Sequence, residues 1–198
     1  MNTARRFCAA TTGAAIIHLL FCLQAPAGLP QRNSAPLDSG NQRIFEEFDS
    51  RVKDYVKLRE GLEKKLPKLS DEAKAEEIET YKTTFEESVR VARAGAKRGD
   101  LFTAQVARHI RATIRSRFKG ADLQQLRETI LEAETKGVPV RVNYSYPAHK
   151  ELTQIPPTLL MVLPQLPKEV KYRFVGRHLL LVDTGNGLII DFMLDALP

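Results

Sequence analysis

The chain has 198 residues, with 30 lysines and arginines against 24 aspartates and glutamates and a formal net charge of +6. That bounds it to one ordinary domain or two small ones, with enough chain for a real hydrophobic core. Only two cysteines occur, Cys8 and Cys22, so removal of the first 27 residues would exclude cysteine nucleophiles, thiolate zinc sites and iron–sulfur clusters altogether.

At the N-terminus, Arg5 and Arg6 supply a positive region ahead of a short apolar run, Ala14 to Leu23, that only His18 interrupts. Ala25, Pro26 and Ala27 then place small residues where a signal peptidase cuts, so residues 1–27 are expected to be a cleaved secretion signal. A retained anchor needs roughly 20 apolar residues, about twice this run. Phe21 stands where lipid attachment to Cys22 needs a small residue, and Phe7 comes one place too early for twin-arginine export. The expectation is a bacterial protein exported to the periplasm or beyond, with no spanning segment after cleavage.

Residues 28–40 hold Pro30, Pro36, Ser34, Ser39 and two glycines with few apolar residues, and read as a flexible leader. From Asn41, Phe45, Phe48, Val52, Tyr55, Leu62 and Leu66 recur every three or four residues and line one face of a helix that Pro67 ends; Arg59 breaks this seam. Ser70 is expected to cap a second helix, antiparallel to the first, with Ile78, Tyr81, Phe85, Val89 and Ala92 inward and Gly99 as its stop. Thr103 is expected to cap a third helix through Val106, Ile110, Ile114 and Phe118, ended by Gly120. Asp122 with Gln125 resembles a capping box for a fourth, carrying Leu126, Ile130 and Ala133 to Gly137.

Then the period changes to two. Val138, Val140, Val142, Tyr144 and Tyr146 alternate with polar residues and predict a strand. Pro156 and Pro157 open a short apolar helical turn. Val170, Tyr172 and Phe174 begin a β-meander with Leu179 to Val182 and Leu188 to Phe192, the last two joined around Asn186-Gly187 by a hairpin. The fold expected is α+β, with a helical hairpin and two further helices over 41–136 and a small C-terminal antiparallel sheet over 138–198, all within one domain, 41–198.

The run Tyr172-Arg173-Phe174-Val175-Gly176-Arg177, followed by Leu179-Leu180-Leu181-Val182-Asp183 and Leu188-Ile189-Ile190-Asp191-Phe192, resembles the end of a widespread set of uncharacterised exported bacterial proteins. It is similar, more distantly, to the C-terminal sheet of small periplasmic proteins linked to nickel and cobalt homeostasis. The resemblance covers about the last 35 residues, with an echo at Gly99 to Thr103. It implies location and sheet topology; the histidine-rich or acidic segment that metal handling needs is missing, so no metal and no cofactor is expected.

Three constellations invite chemistry. Arg108, Arg111, Arg115 and Lys119 recur at helical spacing and form a basic stripe suited to an anionic ligand, unless the stripe is simply solvated or neutralised by Glu76, Glu77, Glu86 and Glu87. Asp183 and Asp191, with Asp195 nearby, could pair as acid and base with His178, as an envelope-polymer hydrolase would need, although an aspartate before the Thr184 to Gly187 turn commonly accepts local N–H bonds. His109, His149 and His178 are scattered, with no ligand spacing, and no nucleophile elbow, phosphate loop or dinucleotide fingerprint occurs. Phe45, Phe48, Tyr55, Tyr81 and Phe85 could line a cleft, but that spacing is ordinary core. The leading expectation is a non-catalytic domain that binds an envelope protein or an anionic ligand; nucleic acid is disfavoured by export and by the lack of interleaved aromatics.

Overall fold

The computed structural model describes residues 39–133, 135–147 and 155–198. The expected signal, the leader up to residue 38 and His149 lie outside the described residues. Five helices and three strands follow in order: α1 Ser39–Glu63, α2 Ala75–Ala92, α3 Ala104–Arg117, α4 Gly120–Leu131, α5 Pro157–Leu160, β1 Val170–Val175, β2 His178–Asp183 and β3 Ile189–Met193. The fold is α+β, its helices preceding a three-stranded antiparallel sheet of order β1-β2-β3.

The helix ends show which local signals prevail. Thr103 caps α3 as its hydroxyl accepts from Val106 N–H at 3.3 Å. Ser70 does not cap α2: its hydroxyl accepts from Glu72 N–H within a turn, and the helix starts at Ala75, where the Glu77 carboxylate takes the Lys74 N–H. Gly120 does not close α3 but opens α4 at φ +51°, which lets the chain reverse within two residues of Arg117. Asp122 consequently sits inside the first turn of α4 rather than ahead of it.

The sheet is buried on both faces. Tyr172, Phe174, Leu179, Leu181 and Ile190 pack into the larger core with Phe48, Val52 and Tyr55 of α1, Phe85 and Val89 of α2, Ile110 and Ile114 of α3, and Leu126 and Ile130 of α4. Val175, Leu180, Val182, Ile189 and Phe192 meet Val138 and Tyr146 in a second cluster on the opposite face. Burial on both sides accounts for the unbroken apolar runs of β2 and β3, where a half-exposed strand would alternate.

The strand expected over Val138 to Tyr146 does not form. This segment lies along β3 and its neighbours, with Asn143 N–H donating to Ile189 O, Ile189 N–H to Tyr144 O and Tyr146 N–H to Gly187 O, but only Ser145 and Leu188 form a bridge. Asn143 stands at φ +61°, a left-handed conformation that interrupts an extended run, and Pro139 lacks the N–H that a ladder needs. The apolar period is therefore read by packing against the sheet, while the backbone turns.

Pairing also shifts within the sheet. Leu181 faces Asp191 and Val182 faces Ile189, leaving Ile190 as an extra residue in β3. Such a bulge reverses which side the following side chains take. It brings Asp191 to the helix-facing side, with Leu181.

Candidate functional site

Asp183 and Asp191 are both fully buried, and a carboxylate out of water must be met by donors or by opposite charge. Alternation along β2 puts Leu179, Leu181 and Asp183 on the helix side, so Asp183 points at α1. Tyr55 and Arg59, one helical turn apart, reach its Oδ2: the Tyr55 hydroxyl donates at 2.5 Å and Arg59 Nε at 2.9 Å. Oδ1 accepts the N–H groups of Gly185 at 2.7 Å and Asn186 at 3.3 Å, the local turn role anticipated for an aspartate there. Arg59, also buried, lies 5.0 Å over the Phe85 ring and reaches Glu63 at 3.4 Å. Burial, and then the charge of Asp183, push the Tyr55 phenol far up its scale, so that it keeps the proton it donates.

Asp191 is held differently. Its oxygens accept four backbone N–H groups, from Gly99 at 2.9 Å, Leu101 at 2.8 Å, Phe102 at 2.7 Å and Phe192 at 2.7 Å. Burial raises the pKa of this carboxyl, and those four donors pull it back. The consequence is mechanical: the loop between α2 and α3 is pinned to β3.

Arg93 and Asn143 complete the buried polar layer. Arg93 donates to Ile190 O at 2.7 Å and to Asn143 Oδ1 at 3.0 Å, and lies 5.1 Å from the centre of the Tyr55 ring. Asn143 Nδ2 donates back to Arg93 O at 2.6 Å. Burial lowers the Arg93 pKa, while the nearby Tyr55, Asp191, Asp100 and Asp183 raise it. One guanidinium thus joins the neighbourhoods of both aspartates.

His178 is not part of this layer. It begins β2 while Asp183 ends it, about 16 Å away at strand rise, and its Nδ1 accepts the Asp195 N–H at 3.1 Å. The stripe on α3 is likewise divided. Arg111 is half-buried and donates to Leu194 O at 2.7 Å and Asp195 O at 3.0 Å, stapling the tail of the sheet. Arg108 turns back to Ala104 O, Arg115 is exposed, and Lys119 becomes the N-cap of α4. Glu86 and Glu87 pair with Arg90 on their own helix, not with this stripe. His109 meets Phe45 edge-on at 4.6 Å.

The structure converges cations elsewhere. Between the end of α2 with its following loop and the turn around Asn143 lies an open cleft of about 1060 Å³, with Arg90, Lys97 and Arg98 on one wall and Arg141, Tyr144 and Ser145 on the other. Its lining contains no acidic residue. Arg98 lies 5.8 Å from the centre of the Phe192 ring and Arg141 lies 4.7 Å from that of Tyr144, contacts that orient guanidinium planes. Glu86 and Glu87 occupy Arg90, and Ser145 donates to Glu86 at 2.5 Å. Among the described residues, no carboxylate forms a salt bridge with Lys97, Arg98 or Arg141.

Chemically, the buried aspartates accept all the hydrogen bonds that hold them and have no face open to a substrate, whereas the cleft offers unpaired positive charge to solvent. Among the described residues, no group of three or more His, Cys, Asp or Glu side chains is placed to hold a metal ion, and no helix is long and apolar enough to cross a membrane. Arg93, Asn143 and Arg141 carry no motif that would single them out in the sequence; Arg59 does stand out, as a charge set in an apolar seam. Comparison of the chain with protein-family models, with curated proteins and with solved structures finds no match.

Proposed function

We propose that this is an exported domain of the bacterial cell envelope that binds a ligand or partner without transforming it, and that the cleft between Lys97, Arg98 and Arg141 is its binding face. The observation that carries this reading is the contrast between the two kinds of charged site. Asp183 and Asp191 are sealed and saturated with donors, as structural locks are, while three cations without a carboxylate partner, Arg141 donating to the Tyr144 hydroxyl at 3.0 Å, face one open concavity. Open, mostly preformed clefts with a few convergent polar groups are where ligands bind. The signal-like N-terminus and the resemblance of the C-terminal run to exported proteins support the location.

Native mass spectrometry of the protein recovered from its own envelope tests this. The expected result is a chain lacking the first 27 residues that carries a non-covalent ligand or partner. Recovery from the cytosol with Met1 in place, or robust turnover of an envelope polymer by the purified protein, would overturn it.

A further inference from the structure

We infer that the cleft binds a phosphate-bearing polymer chain, an inference that rests on the reading of the cleft as the binding face. The cations stand on two opposed walls, Lys97 and Arg98 on the loop after α2 and Arg141 on the turn at Asn143. A planar carboxylate is satisfied by a single guanidinium fork, whereas a tetrahedral phosphate offers oxygens in several directions, and successive phosphates of one chain can meet the cations of the two walls in turn. A space of about 1060 Å³, open to solvent, is far larger than one phosphate needs and admits a run of linked groups. A flat bilayer cannot enter a concavity, which favours a soluble chain over lipid headgroups.

Both walls are fixed to the same strand. Asp191 holds the N–H groups of Gly99 and Leu101 next to Lys97 and Arg98, and Ile189 O accepts from Asn143 N–H, two residues from Arg141. Arg90 Nε donates to Asn143 O at 3.2 Å and Arg93 exchanges two bonds with the Asn143 side chain, closing the floor between the walls. The backbone that carries the cations is thus held before any ligand arrives, so binding has only their exposed side chains to order.

The test is a titration of the protein as it is recovered from its source, against poly(glycerol phosphate), short inorganic polyphosphate, polyglutamate and vesicles containing phosphatidylglycerol, each at low and at physiological salt. Both soluble phosphate polymers should bind at least tenfold more tightly than polyglutamate, and affinity should fall as salt rises. Arg98→Gln and Arg141→Gln should each reduce the slope of log affinity against log salt by about one, with melting temperatures unchanged, whereas Arg108→Gln and Arg115→Gln should leave binding as it was. Equal binding of polyglutamate, binding to vesicles alone, or loss of binding in the α3 variants but not the cleft variants would overturn the inference. The first two failures would leave the cleft standing as the binding face and change only its ligand, whereas loss of binding in the α3 variants alone would move that face to α3; cellular location and turnover decide the envelope reading separately.

Discussion

Replacing Asp183 by asparagine separates a structural lock from a catalytic acid. The side chain keeps its shape, but an amide has one acceptor oxygen, and its NH2 group must face either the Tyr55 and Arg59 donors or the Gly185 and Asn186 N–H groups. Two donors then lose their acceptor, either Tyr55 and Arg59 in the buried site or the Gly185 and Asn186 N–H groups at the turn, where Gly185 is exposed. Each buried unsatisfied donor costs about 1–3 kcal/mol, and a buried ion pair broken on one side costs about 3–5 kcal/mol. These contributions overlap, since Arg59 belongs to both, and Glu63 at 3.4 Å offers only a more exposed substitute. A total loss of about 4 kcal/mol follows, which lowers Tm by about 8–16 °C for a domain of this size. Calorimetry on Asp183→Asn measures it directly. Adding Arg59→Met removes the stranded charge, so the double variant should recover part of the loss, with a coupling of at least about 1 kcal/mol. If Asp183→Asn melted within about 2 °C of the parent, less than 1 kcal/mol on the same scale, the lock would be refuted and the carboxylate would be free for chemistry.

Other perturbations test neighbouring contacts. A methyl group at Gly185 would stand 2.7 Å from Arg59 Nη2 and 3.3 Å from Phe85 Cε1, so Gly185→Ala should lower the urea midpoint by the equivalent of about 1–3 kcal/mol, through overpacking of the lock. Asn143→Ala loses two side-chain bonds to Arg93 and leaves a β-carbon at φ +61°; a loss of about 2–4 kcal/mol in chemical denaturation is expected, with Asn143→Gly recovering the backbone part, about 1 kcal/mol. Asp191 bears on pH: its folded pKa lies above the ordinary value of 3.8, so between the two values the folded state binds more protons than the unfolded. The contribution of this group is then fully present below the unfolded pKa and is lost as pH rises through the folded one. The stability of the parent relative to Asp191→Asn should therefore fall with rising pH across that window, and a difference that grew with pH would refute the assignment.

Much of the architecture was legible because it depends on periodicity. Helical spacing located α1 to α4 by their core residues, and the Thr103 cap and the hairpin at Asn186-Gly187 were readable from local chemistry alone. The hairpin nevertheless differs in detail. Among its loop residues Gly187 alone takes positive φ, at +77°, and Asn186 instead uses its Oδ1 to accept the Leu188 N–H at 2.9 Å. The strand over Val138 to Tyr146 misled because alternation reports which side chains are buried, not whether the backbone stays extended. Packing against one face of the sheet takes up Val138, Val140, Val142 and Tyr146, but Asn143 turns the chain and Tyr144 comes out to solvent.

The site was less legible, for a different physical reason. A bulge leaves no mark in composition, so nothing in the residue pattern signals that Ile190 is the extra residue and that Asp191 joins Asp183 on the helix-facing side. Arg59 was visible as a break in a seam, but its partner lies 124 positions along the chain. The basic stripe on α3 was a one-helix pattern, and one helix cannot show that Arg111 is spent on the carbonyls of residues 194 and 195. The cleft needs cations from two segments about 45 positions apart, which no local period connects.

The two aspartates also fix where α1 and the loop after α2 sit on the sheet. An apolar sheet face would bind α1 to α4 through non-directional packing, which tolerates sliding. Asp183 and Asp191 replace that tolerance with five directional bonds from other elements, Tyr55 and Arg59 to the first and the Gly99, Leu101 and Phe102 N–H groups to the second, so α1 and the loop from Gly99 to Phe102 have one allowed position relative to β2 and β3. A buried polar layer of this kind contributes definition more than net stability, since its desolvation cost offsets much of its attraction. The definition is transmitted outward through Arg93 and Asn143 to the cations of the cleft. Loosening Asp191, which touches no ligand, should accordingly spread the positions of Lys97 and Arg98 and weaken binding by the cleft even where the fold survives.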